Sequence, residues 1–125
     1  MQKQIVHDSL IANKICIVAT QLLASMEHTP KPTRVEVSDV ANAVYDLTGC
    51  IMLSGECAQG DYPVECVKTM VKIANRVEPE VNYWKRFDEN ENVKLDDLES
   101  NISYSACVIA KNIKAAAFVC YTKSV

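Results

Sequence analysis

Pro32-Thr33-Arg34-Val35-Glu36-Val37-Ser38-Asp39-Val40-Ala41-Asn42-Ala43-Val44, followed after a short interval by Cys50-Ile51-Met52-Leu53-Ser54-Gly55-Glu56, is the stretch that decides the fold. Thr33 and Glu36 stand at capping-box spacing, where each side chain holds the other's backbone amide. Val37, Val40, Ala41, Val44 and Leu47 then recur at helical period, giving the helix one apolar face that must be covered. Gly49 is placed to stop that helix. Residues 50–53 read as a short buried strand that ends abruptly in Ser54-Gly55-Glu56. An earlier apolar run, Ile15-Cys16-Ile17-Val18-Ala19, ends the same way in Thr20-Gln21. Two buried strands, each releasing a hydroxyl at its C-terminal end, put polar chemistry where open α/β sheets and β/α barrels keep their active sites.

Working outward, Ile5, Leu10 and Ile11 among polar residues mark residues 1–12 as the end of a helix, and Asn13-Lys14 turns into the first strand. Gln21 to Met26 forms a helical turn before His28-Thr29-Pro30-Lys31-Pro32, where two prolines forbid a continuous helix. Gly55 and Gly60 frame a tight loop, and Asp61-Tyr62-Pro63 reads as a capped helix start with proline in the first turn. The helix that follows runs to about residue 77, with Val64, Val67, Met70, Val71 and Ala74 on one side. Strand, loop and helix, twice over, is the alternation of a parallel α/β sheet. From 78 to 100 charged residues crowd around Trp84 and Phe87, and residues 88–92 read as a solvated link, so a domain boundary falls near residue 80. Ile102, Ala106, Ile109, Ala110 and Ile113 mark one more helix. Ala115 to Tyr121 reads as a buried strand leading into Thr122-Lys123-Ser124.

With 125 residues, 49% of them hydrophobic, the chain has material for a core, and a net charge of -3 supplies no basic stripe for nucleic acid. No apolar stretch reaches membrane-spanning length, and MQKQIVHDSL lacks a signal peptide's apolar centre, so cytosol is the expected compartment. Six cysteines form no C-x-x-C pair, and only two histidines could join them. Cys16, Cys50, Cys107 and Cys120 lie in apolar segments, which predicts reduced, mostly buried thiols and no metal site.

Five collinear motifs carry a resemblance: Ala19-Thr20-Gln21-Leu22-Leu23, Pro32-Thr33-Arg34, Ser38-Asp39-Val40-Ala41-Asn42-Ala43, Leu53-Ser54-Gly55-Glu56 and Gly60-Asp61-Tyr62-Pro63-Val64-Glu65. In order and spacing they resemble the pyruvate kinase family. The resemblance implies that residues 1–80 are the last two β/α units of an eight-fold TIM barrel, and that residues 81–125 open the family's C-terminal regulatory domain. It implies phosphate transfer from phosphoenolpyruvate to ADP in glycolysis, giving pyruvate and ATP, with Mg2+ and K+ as cofactors whose ligands belong to earlier barrel segments. A homotetramer is implied for the full-length protein.

The resemblance also assigns roles. Thr20 lies beside the substrate, bonding its carboxylate or relaying a proton. Ser54 stands across the pocket with Glu56, organising the water that feeds the proton to the enolate. Taken alone, a threonine at a strand end or a Ser-Gly pair is more often a turn residue. Arg34 lies at a contact between subunits, while Asp39 and Asn42 stabilise their helix. Thr122, Lys123 and Ser124 resemble the loop that grips an effector's phosphate, although Val125 follows where the family continues with glycine. Gln59 stands where several members carry a lysine. Two β/α units cannot close a barrel, so the expectation is a piece of a larger protein, inactive by itself. The alternative is a truncated homologue that acts as a non-catalytic interaction module through exposed strand edges.

Overall fold

The computed structural model describes residues 1–12, 14–89 and 95–121, and these form two compact units, Met1–Val81 and Asn82–Val125. In the first unit, helix α1 (Gln2–Ile11) leads to strand β1 (Ile17–Ala19) and a 3-10 turn (Ala24–Glu27). Helix α2 (Arg34–Tyr45), strand β2 (Cys50–Met52), the single-turn helix α3 (Gly55–Ala58) and helix α4 (Pro63–Val77) follow, closed by a 3-10 turn at Glu78–Glu80.

Strands β1 and β2 pair in parallel, with Ile17 opposite Cys50, Val18 opposite Ile51 and Ala19 opposite Met52. Their register places Val18 and Ile51 on one face, against a core of Leu22, Leu23, Met26, Val40, Cys66 and Met70. Each of these side chains contributes on the order of 1.5–3 kcal/mol through burial. The opposite face, with Ile17 and Met52, is open to solvent. A parallel sheet is ordinarily covered on both faces.

The capping box at the start of α2 forms as its spacing predicts: Glu36 N–H donates to Thr33 Oγ1 at 3.3 Å, and Thr33 N–H donates to Glu36 Oε2 at 2.7 Å. Four expectations in this unit are corrected. Leu47, not Gly49, takes the left-handed position that ends α2, at φ 61, with Thr48 N–H donating to the Ala43 carbonyl. Gly49 instead lets the backbone pass β1 closely, since a Cβ there would sit 3.1 Å from Ile15. The buried stripe of α2 is Glu36, Val40 and Ala43, because the capping glutamate turns inward and Val37 outward. On α4 the covered side is Cys66, Met70 and Val77, leaving Val64, Val67 and Val71 exposed. Pro63 begins that helix as expected, but the N-cap is Tyr62, which makes no side-chain cap.

In the second unit, helix α5 (Tyr83–Asp88) starts at Asn82, whose side chain accepts from Lys85 N–H at 2.9 Å. Helix α6 (Leu98–Asn112) starts at Asp97, which accepts from the backbone and hydroxyl of Ser100. Phe87 stacks on Tyr104 with ring centres 5.2 Å apart, so the charged stretch around Trp84 and Phe87 is helix packed on helix, and most of the expected link at 88–92 lies outside the described residues. Residues 115–121 form no strand. Among the described residues they have no ladder partner, and a single segment cannot satisfy its backbone as β-structure. No helix among the described residues is long and apolar enough to cross a membrane.

The thiols are all free, but Cys66 is the buried one, while Cys50, Cys57 and Cys120 are exposed. Apolar neighbours in the sequence suggested burial for Cys50 and Cys120. The uncovered sheet face and the unpaired segment 115–121 deny it to them.

Candidate functional site

The parallel register brings the two predicted hydroxyls to the same end of the sheet. Ala19 is opposite Met52, so Thr20 leaves β1 as Leu53 and Ser54 leave β2. The chain turns sharply there: Thr20 and Gln21 are both left-handed, at φ 69 and 56. For a β-branched residue that conformation is strongly disfavoured, and such residues cluster at functional sites. Thr20 is solvent-exposed and Ser54 half-buried. Ser54 occupies the N-cap of α3, yet its hydroxyl makes no capping bond, so helix capping does not account for it.

Behind the two hydroxyls lie two buried carboxylates. Glu56 is 1% exposed. Its Oε1 accepts from Leu23 N–H at 3.2 Å and its Oε2 from Ser54 N–H at 2.8 Å. A substrate-facing Glu56 is the sequence expectation; the side chain here points inward, with each oxygen holding a backbone amide. Glu36 is 8% exposed and accepts from Ser25 N–H and Ser25 Oγ, both at 2.6 Å, as well as from Thr33 N–H and Thr33 Oγ1. Burial pushes the Glu36 carboxyl up, but the bonds from Ser25 and Thr33 outweigh it and hold the pKa at about 2. Burial likewise raises Glu56, and the backbone amides of its own residue, Ser54 and Leu23 bring it below the ordinary carboxylate value. The Glu36 charge acts against that lowering. Both groups are therefore ionised acceptors at neutral pH and not proton donors.

The reach of Glu36 to Ser25, 11 residues upstream, is missing from the sequence reading, because the capping-box pattern accounts for Glu36 locally and nothing marks Ser25 as its partner. Close approach also matters at Gly60: a Cβ there would lie 2.6 Å from the Glu56 carbonyl and 3.0 Å from Glu27 Cα. Asp61 N–H donates to the Glu27 carbonyl at 2.7 Å, tying the start of α4 to the turn after β1.

Arg34 is the exposed first residue of α2. Thr122, Lys123 and Ser124 lie outside the described residues. Among the described residues no three His, Cys, Asp or Glu side chains converge as a metal site. The donor set among the described residues does not fit Mg2+.

A family model, pyruvate kinase, barrel domain, matches residues 1–67. The pyruvate kinase of Clostridium acetobutylicum is 43% identical over 124 residues, which is 99% of this chain and 26% of that protein. That of Chlamydia muridarum is 42% identical over 127 residues, again 99% of this chain and 26% of the relative. Pyruvate kinase 1 of Saccharomyces cerevisiae is 39% identical over 126 residues, covering 99% and 25%. The chain thus spans about a quarter of the length of the curated relatives it matches. With more than half of its residues inside the family model, and two of the five collinear motifs leaving β1 and β2 at the same end of a parallel sheet, the chain belongs to the pyruvate kinase family.

Proposed function

We propose that this chain is a catalytic segment of a pyruvate kinase, an enzyme moving phosphate from phosphoenolpyruvate to ADP in glycolysis. Residues 1–80 are read as the last two β/α units of its eight-fold barrel, and residues 81–125 as the opening of its C-terminal domain. The observation that carries the reading is the strained, exposed Thr20 at the C-terminal end of β1, beside Ser54 at the same end of β2.

Enolate protonation needs a positioned hydroxyl network near the methylene carbon. In this reading Thr20 bonds the substrate carboxylate or relays the proton, and Ser54 orients the water that supplies it. Stabilising the migrating phosphoryl group needs concentrated positive charge; Mg2+ and K+, whose ligands would come from other barrel segments, would contribute to it when bound. The isolated chain has no pyruvate kinase activity, and the complete protein is a cytosolic homotetramer with Arg34 at a subunit contact. A second reading, a non-catalytic docking module, draws on the open sheet face at Ile17 and Met52.

The test is a segment exchange. Residues 1–125 replace the matched quarter of the Clostridium acetobutylicum enzyme, and pyruvate formation is followed by a coupled assay. The catalytic reading expects turnover with this segment and a loss of about a hundredfold in kcat for Thr20→Val, within the range for a positioned proton-transfer group. Undiminished turnover in Thr20→Val overturns it.

A further inference from the structure

We propose that Glu56 and Glu36 are positioning residues: together they hold the segment that follows Thr20 from two sides and so fix where the Thr20 and Ser54 hydroxyls stand. This rests on the functional reading of those two hydroxyls above.

One carboxylate, that of Glu56, spans the loops leaving both strands, with Leu23 N–H on one oxygen and Ser54 N–H on the other. Since the two oxygens of a carboxylate are rigidly spaced, this contact sets the separation of the two loops directly. Two residues further along, Ser25 is gripped through backbone and hydroxyl by Glu36. Glu36 in turn is anchored to Thr33 at the start of α2. Leu23 and Ser25 are therefore held by carboxylates from different elements, while Leu22, Leu23 and Met26 are sunk in the core. The left-handed pair Thr20-Gln21 immediately precedes them.

Two consecutive non-glycine residues in that conformation persist only where the surrounding structure over-determines them. The doubly held segment provides that constraint on one side, and the β1–β2 ladder on the other. Ionised acceptors suit the task, because charge-assisted bonds to amides are shorter and about twice as strong as neutral ones. Both glutamates bond N–H and O–H donors, and among the described residues neither is half of a salt bridge. Their burial is sustained by those donors.

Two measurements decide the matter. In the unmodified 125-residue chain, amide hydrogen exchange by NMR reads Leu23, Ser25 and Ser54 directly. The clamp requires each to exchange at least about tenfold more slowly than the amides of Thr20 and Gln21. Exchange as fast as in that exposed turn overturns it. In the segment-exchanged enzyme, Glu56→Gln and Glu36→Gln are compared with the parent at equal folded concentration. Glu56→Gln keeps one acceptor and turns an NH2 group toward the other amide. A positioning role expects kcat to fall about ten- to a hundredfold while KM for phosphoenolpyruvate stays within about threefold. A merely structural role lowers the folded fraction and leaves kcat per folded site unchanged, which overturns the proposal. If Glu56→Gln does not fold, Glu36→Gln and the exchange of the unmodified chain carry the decision. If the parent exchange enzyme shows no turnover, the functional reading falls separately, and amide exchange still decides whether the clamp exists.

Discussion

Replacing Glu36 by glutamine should remove a pH-dependent part of the stability of the first unit. The folded-state pKa of Glu36 is about 2, against an ordinary value of 4.5. A depression of that size corresponds to about 3 kcal/mol of preferential stabilisation of the ionised, folded form. Because the folded value lies below the unfolded one, this stability is fully present above about pH 4.5 and is lost as pH falls through 2. At pH 7, Glu36→Gln should therefore cost about 2–3 kcal/mol, in keeping with the loss of hydrogen bonds to a charged group. The gap between parent and variant should close toward pH 2, where the parent carboxyl is itself protonated. Glu56 is likewise held below its ordinary value, but it is present in both proteins. Neutralising position 36 also removes the charge that acts against the lowering of the Glu56 pKa, which shifts the variant's remaining acid transition further down. Urea unfolding at a series of pH values, read from NMR signals of residues 1–81, provides the assay. A gap that stays constant from pH 7 to 2.5 refutes the reasoning, since a plain packing defect carries no proton linkage.

Thr20→Gly should stabilise the first unit by about 1 kcal/mol, because glycine accepts the left-handed turn that threonine resists, while lowering kcat in the segment-exchanged enzyme by about a hundredfold; urea midpoints and the coupled assay read the two effects. Gly60→Ala should destabilise by about 1–3 kcal/mol, since the new methyl meets the Glu56 carbonyl and Glu27 backbone, neither of which can yield cheaply; thermal unfolding measures it. Leu23→Ala, at a fully buried core position, should cost about 2–5 kcal/mol in the same measurement. Burial pushes the Cys66 thiol up, so Cys66 should resist an aromatic disulfide reagent in the native state while exposed Cys50 and Cys57 react, with the full complement released in denaturant.

Much of the fold is legible in the sequence because its signals are local. The capping box at Thr33 and Glu36, the apolar runs 15–19 and 50–53, and Pro63 at a helix start each fix a backbone conformation within a few residues. What fails depends on distant partners. Val37 and Val64 look like core residues by periodicity, yet both are exposed, with nothing among the described residues covering them. Residues 115–121 have strand composition and, among the described residues, no second strand to pair with. At the site, the placement of Thr20 and Ser54 at one end of the sheet follows from parallel pairing of two short runs, which the β/α alternation implies. The inward turn of Glu56 does not follow, because the amides that hold it belong to Ser54 nearby and Leu23, 33 residues away. A glutamate after Ser-Gly reads as chemistry at the surface. Only the three-dimensional meeting of the two loops shows it facing the backbone.

The most direct check is a crystal structure of the segment-exchanged enzyme with oxalate, a planar mimic of the enolate, in its active site. The functional reading expects Thr20 Oγ1 within about 3 Å of the ligand or of a water bound to it, with Ser54 lining the same cavity. Oxalate bound at the opposite end of β1 and β2, or beyond the reach of both hydroxyls, contradicts it.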